Sequence, residues 1–171
     1  VRYAADEVVA VIDASRSPST AREAIGCGGE IPVVGSLRAA LAFGPNTLVF
    51  GTAPRGGTLA GADRAAAVEA IRNGLHVMNG MHEFLSDDGE LAALAAEKGV
   101  VLWDVRRPPV GLGVASGTGC ALCPVVFTVG SDCTPGQMTA GMEIHHALGR
   151  DGVCSGFAAS GQTGIMITGA G

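Results

Sequence analysis

The sequence predicts an α/β fold: a parallel sheet with helices on both faces, followed by the first βαβ part of a second domain. Three observations carry this expectation. Apolar β-rich runs alternate with helical stretches up to Asp104, the pair Pro108-Pro109 interrupts the alternation, and a glycine-rich turn at 130–139 separates a further apolar run from a further helix. Repeated βα units of this kind build parallel sheets covered on both sides.

Glu7–Asp13 is an almost continuous apolar run ending in an acid and reads as a buried parallel strand. Ile31–Val34 is the next strand, and Leu37–Phe43 a helix with Ser36 as its N-cap. Thr47–Phe50 reads as a strand that runs into the loop Gly51–Gly57. Ala62–Arg72 has Ala, Val and Ile at helical spacing, with Gly74 placed to close it. His76–Asn79 follows as a strand, Asp88–Lys98 as a helix opened by acids, and Val100–Asp104 as a strand. Two prolines cannot continue a central strand, so the first domain is expected to span 1–108. A glycine-rich linker, 109–124, holds Cys120 and Cys123. The second domain, 125–171, reads as strand Val125–Val129, helix Met138–Leu148, strand Val153–Ala159 and a glycine loop at Ser160–Gly164. One βαβ unit cannot enclose a core, so this domain is expected to be incomplete at its C-terminal side.

Composition bounds the function. With 47% hydrophobic and 16% charged residues the chain of 171 belongs among globular sequences. A net charge of −5 without any basic run argues against a nucleic-acid partner. No apolar run approaches the roughly 20 residues of a membrane span, and the first residues lack a leader pattern, so a cytoplasmic protein with no membrane partner is expected. Five cysteines, an odd number in a chain of this length, read as reduced thiols. The expected partners are a small-molecule substrate and a second copy of the chain in a homo-oligomer.

Chemistry concentrates in the stretch Gly130-Ser131-Asp132-Cys133-Thr134-Pro135-Gly136-Gln137-Met138-Thr139. Its spacing resembles a phosphate-binding loop. A helix starting near Gly136 would aim free backbone N–H groups and the positive end of its dipole at a bound anion, and glycines let the backbone wrap that anion. Gln137 stands where such loops carry lysine and Met138 where they carry a magnesium-holding hydroxyl, which argues against metal-assisted phosphoryl transfer. The bland alternative is a glycine-rich connection with no ligand.

The order of motifs also resembles a known family. Ala10-Val11-Ile12-Asp13, Asp104–Pro109, Val129–Cys133, Gly136–Thr139 with Glu143, and Gly161-Gln162-Thr163-Gly164-Ile165-Met166-Ile167 together look like the D-glutamate N-acetyltransferase-like family, and the likeness covers nearly the whole chain. The resemblance implies a Rossmann-like N-terminal domain, a P-loop NTPase-like C-terminal domain, and transfer of an acetyl group from acetyl-CoA to the amine of D-glutamate. It further implies that Gly130, Ser131, Asp132, Cys133, Thr134, Gly136, Gln137, Met138 and Thr139 line the phosphate end of the cofactor. Gly161, Gln162, Thr163 and Gly164 would form a facing loop. Family members carry lysine where Gln137 stands. The alternatives kept open are a P-loop kinase or ligase using ATP with magnesium, and a non-catalytic binding subunit.

For the substrate, Asp13 and Arg16 sit at the carboxyl end of the first strand, where open α/β sheets bind ligands, and the Gly51–Gly57 loop is expected to end a neighbouring strand on the same edge. No Gly-x-Gly-x-x-Gly follows the first strand, so classical dinucleotide binding is not expected. Arg55 could hold a carboxylate by a bidentate contact, His82 could contact substrate or act as a base, and Arg106 joins them as a substrate-binding candidate; the bland reading of each is a solvated surface group. Cys120-x-x-Cys123 has metal-ligand spacing, with Cys133 and His145 or His146 as further donors, but no second pair stands at zinc-ribbon spacing and no metal is expected. Cys133 could be a nucleophile near a helix N-terminus or an inert small residue. The residue pattern names no catalytic base.

Overall fold

The computed structural model describes residues 1–52, 54–59, 61–111, 113, 123–131 and 136–169, with the backbone alone at Arg55. The chain divides into two compact units, Val1–Arg106 and Arg107–Gly171.

In the first unit, β1 (Val11–Ile12), β2 (Ser19–Thr20), α1 (Ala21–Ile25), β3 (Pro32–Val34) and α2 (Leu37–Ala40) precede β4 (Thr47–Val49), α3 (Gly61–Arg72), β5 (His76–Asn79), α4 (Gly89–Lys98) and β6 (Leu102–Asp104). The strands form two ladders of three. One has the order β1-β3-β2, with β1 parallel and β2 antiparallel to β3. The other is all parallel, β4-β5-β6, with Leu48 opposite Val77 and Asn79 opposite Asp104. An all-parallel sheet was expected; β2, which is short and polar, departs from it.

The core lies where α3 and α4 cover β4-β5-β6. Ala67, Ala70 and Ile71 from α3, Val77 from β5, Leu85, and Leu91 and Ala95 from α4 are buried together. Small residues on α3 allow close approach to the sheet, and the larger Ile71, Leu85 and Leu91 fill what remains. Local signals set the ends. Ser36 Oγ accepts from Ala39 N–H at 3.2 Å and caps α2. Gly74 takes a left-handed φ of 76° after α3. Asp88 caps α4 by accepting from the N–H groups of Glu90 at 3.0 Å and Leu91 at 3.2 Å. The Arg64 guanidinium of α3 forks onto the same carboxylate at 2.9 and 3.3 Å, and this pairing, together with the cap bonds, holds Asp88 below the usual carboxylate range.

The second unit contains α5 (Gln137–Arg150) and α6 (Gln162–Thr168). Two expectations are corrected here. Val125–Val129 and Val153–Ala159 form no strand ladder among the described residues, because neither finds a hydrogen-bonded partner strand there. The glycine loop at 160–164 is instead the entry and first turn of α6, ended by left-handed Gly169. Among the described residues, Met142 and Ala159 are the buried apolar side chains of this unit. Gly141 lets α5 approach its neighbours: a Cβ there would stand 3.1 Å from the Phe157 ring and 3.4 Å from Thr128 Oγ1.

Candidate functional site

Because β4, β5 and β6 run parallel, the chain leaves all three at one edge, and their following loops gather there. Two buried polar residues organise that edge. Asn79 ends β5 with no exposed surface and Asp104 ends β6 at 6% exposure. The Asp104 carboxylate accepts from Asn79 Nδ2 at 2.8 Å, from the Leu85 and Ser86 N–H groups at 2.8 and 3.0 Å, and from the Ser86 hydroxyl. Burial is the largest single influence on this carboxyl and pushes its pKa up; the bonds from Ser86, Asn79 and Leu85 together outweigh it, so Asp104 titrates below the ordinary range. Asn79 spends its remaining groups locally. Its Nδ2 also donates to the Glu83 carbonyl at 2.8 Å, and its Oδ1 accepts from Met81 N–H at 3.0 Å.

The loop after β4 docks onto this assembly. Gly57 C=O accepts from the N–H groups of His82 and Glu83 at 2.9 and 3.2 Å, and the Glu83 carboxylate accepts from Leu59 N–H at 2.8 Å. Gly57 is buried at φ 63°, and a Cβ on it would stand 2.4 Å from His82 Cδ2. The exposed His82 imidazole therefore rests on a glycine that no other residue can replace without moving it. Arg55, in the same loop, and Arg106, half-buried two residues beyond Asp104, leave the same three strands.

Asp13 and Arg16 follow β1, at the carboxyl end of a strand of the other ladder. Asp13 Oδ1 accepts from Ser15 N–H at 2.9 Å and Ser15 Oγ at 2.6 Å, with Arg16 Nε 3.7 Å from Oδ2. The Ser15 hydroxyl is the main reason its pKa lies below the usual value. Arg16 Nη1 donates to the Ala24 carbonyl at 3.0 Å. The Gly51–Gly57 loop was expected to end a strand neighbouring β1; among the described residues β1 pairs with β3, and β4 belongs to a separate ladder.

In the second unit, Gly130 and Ser131 are exposed, while Asp132, Cys133 and Thr134 lie outside the described residues. Gly136 is the N-cap of α5 in a left-handed conformation, φ 95°, and as a glycine it brings no capping side chain of its own. The first intrahelical bond runs from Ala140 N–H to Gly136 C=O at 2.9 Å. Geometry then directs the N–H groups of Gln137, Met138 and Thr139 out of the helix end. Gln137 and Met138 are half-buried and Thr139 is exposed. Gly161 is the N-cap of α6, again without a side-chain cap, and Gln162, Thr163 and Gly164 form its first turn. The two first turns meet: a Cβ on Gly164 would stand 2.7 Å from Ala159 Cβ and 3.7 Å from Met138 Cγ. Further along α5, His145 Nδ1 and Ser155 Oγ are 2.9 Å apart. Cys123 and Cys154 are exposed, Cys120 and Cys133 lie outside the described residues, and among the described residues no group of three His, Cys, Asp or Glu is placed to hold a metal.

Residues 15–108 match a family model described as Domain of unknown function (DUF1611_N) Rossmann-like domain, and residues 113–171 one described as Domain of unknown function (DUF1611_C) P-loop domain. The chain belongs to the DUF1611 family. A crystal structure of a DUF1611 family protein from Anabaena variabilis superposes with a TM-score of 0.83 at 39% identity, covering 95% of this chain and 47% of that one. Two relatives are named D-glutamate N-acetyltransferase. The one from Tritonibacter scottomollicae is 37% identical over 147 residues, 85% of this chain and 44% of its own length. The one from a Pseudoalteromonas species is 32% identical over 158 residues, 85% of this chain and 46% of its own. The chain thus spans about half the length of the curated relatives it matches. The family resemblance read from the motifs holds, and so does the fold class, a Rossmann-like domain followed by a P-loop domain.

Proposed function

We propose that this chain is part of an N-acetyltransferase that moves an acetyl group from acetyl-CoA to the amine of D-glutamate. The amine nitrogen attacks the thioester carbonyl, the C–S bond breaks, the CoA sulfur leaves as thiolate and takes a proton, and the nitrogen loses one as the amide forms. The reading rests on left-handed Gly136 at the head of α5, in a chain whose relatives carry that enzyme name.

Backbone N–H groups at Gln137–Thr139 would receive a phosphate oxygen of the CoA moiety, with Gly130, Ser131 and the first turn of α6 around it. Gln137 can donate one amide hydrogen bond but cannot neutralise charge, so binding at this turn leans on the backbone and the helix dipole. Arg55, His82 and Arg106, which leave one edge of β4-β5-β6, suit the two carboxylates of a glutamate acceptor. Such a protein works mainly by holding the amine against the thioester.

The test is release of free thiol when the protein, in its full reading frame, meets acetyl-CoA with D-glutamate. Release with D-glutamate and little with L-glutamate supports the reading; none above buffer overturns it. Magnesium-dependent binding of ATP in calorimetry, without thiol release, would replace it by a nucleotide-dependent kinase or ligase.

A further inference from the structure

We propose that Asp104 is a positioning residue that sets His82 for the acceptor, an inference that rests on the acceptor-binding reading of the β4-β5-β6 edge given above. Asp104 grips the chain on both sides of the loop after β5: Asn79 before it, Leu85 and Ser86 after it. Asn79 passes that grip to the loop's middle through Met81 N–H and the Glu83 carbonyl. Glu83 carries it across to the loop after β4 by accepting from Leu59 N–H, and Gly57 C=O returns two bonds to His82 and Glu83. Every link is a hydrogen bond of 3.2 Å or less, and no buried side-chain polar atom among the described residues is left without a partner.

A carboxylate taken out of water is tolerated where donors surround it, and four converge on Asp104. What it provides here is direction. The Asp104 oxygens fix two consecutive backbone N–H groups, and the network ends on the one exposed imidazole that sits against a glycine lacking room for a Cβ. Asp104 itself is nearly sealed from solvent, so it acts on an acceptor through His82 and the loop after β4.

Three variants of the whole protein test this: Asp104→Asn, Ser86→Ala, which keeps the carboxylate and removes one bond, and Glu83→Ala at the exposed end of the chain. Amide exchange by NMR is expected to quicken at Leu85, Ser86 and Leu59 in Asp104→Asn, and at Leu59 alone in Glu83→Ala. Each lost bond is expected to raise KM for D-glutamate about fivefold while KM for acetyl-CoA stays put, the factor that about 1 kcal/mol of hydrogen bonding represents. Unchanged exchange at Leu59 in a folded Asp104→Asn protein overturns the proposal, as does an equal shift in both KM values. If Asp104→Asn does not fold, Ser86→Ala decides by the same two readouts. If the wild-type protein transfers no acetyl group, the function above fails. Exchange at Leu59 and a D-glutamate-induced shift of the His82 ring resonances then decide the positioning role on their own.

Discussion

The two units present similar local signals, glycine-ended helices beside apolar runs, and meet different fates. In the first, Ile71, Val77, Leu85 and Leu91 vanish beneath two helices packed on a three-stranded parallel ladder. In the second, Val125, Val126, Phe127 and Val129 are as apolar and remain 69%, 70%, 78% and 76% exposed. Patterning nominates a strand, and a second layer with a ladder partner makes it one.

Hydrogen exchange sharpens this contrast most. Amides of β5 should outlast those of 125–129 by roughly a thousandfold or more, since core protection tracks global stability while unladdered backbone exchanges freely. Equal protection in both would break the comparison. Next in size, Leu91→Ala should destabilise the first unit by about 3–4 kcal/mol in chemical denaturation, through lost transfer energy and a cavity. Met142→Ala in the second unit should cost clearly less, because surroundings that are not packed on every side can collapse.

Asp104→Asn should cost about 2–3 kcal/mol, replacing a charged acceptor by an amide that turns donors toward donors. The pH dependence follows from its sign. Its native pKa is lowered, so its contribution is complete above the unfolded value of about 3.9 and drains away as pH falls through the native one. Melting temperature against pH should therefore fall less steeply below about pH 4 in the variant than in the parent. Gly57→Ala should cost about 1–2 kcal/mol for a left-handed alanine, and more as the His82 ring is displaced. A melting temperature equal to the parent's would contradict the close approach. The smallest effect belongs to Gln137→Lys: a cation at the start of α5 should destabilise by about 0.3–1 kcal/mol against the helix dipole, yet tighten acetyl-CoA binding in calorimetry.

Signals that are local were legible. His76–Asn79 emerges as read because Gly74 and Gly80 bracket it, and Asp88 begins α4 because its carboxylate reaches two N–H groups of the first turn. Strand lengths were not: Val8–Ile12 is apolar throughout, but pairing covers only Val11–Ile12, the stretch that β3 can match. Two helices escaped the reading for different reasons. For α1 the Thr20 and Glu23 capping box was present and went unread, whereas α6 begins on glycine and is rich in β-branched residues. Left-handed Gly169 was its available signal. The polar network at the strand ends was invisible because Asn79 and Asp104 are 25 positions apart, and only a parallel ladder sets them side by side.

That pairing bears on assembly of the sheet. Sliding β6 by one position would set Asn79 against Trp103 or Val105 and turn the carboxylate to the opposite face, away from the Asn79 amide and the Leu85 and Ser86 N–H groups that it now satisfies. A chain that misaligns there thus forfeits several kcal/mol at once. The lone acid among these strand pairs works as a checksum on alignment.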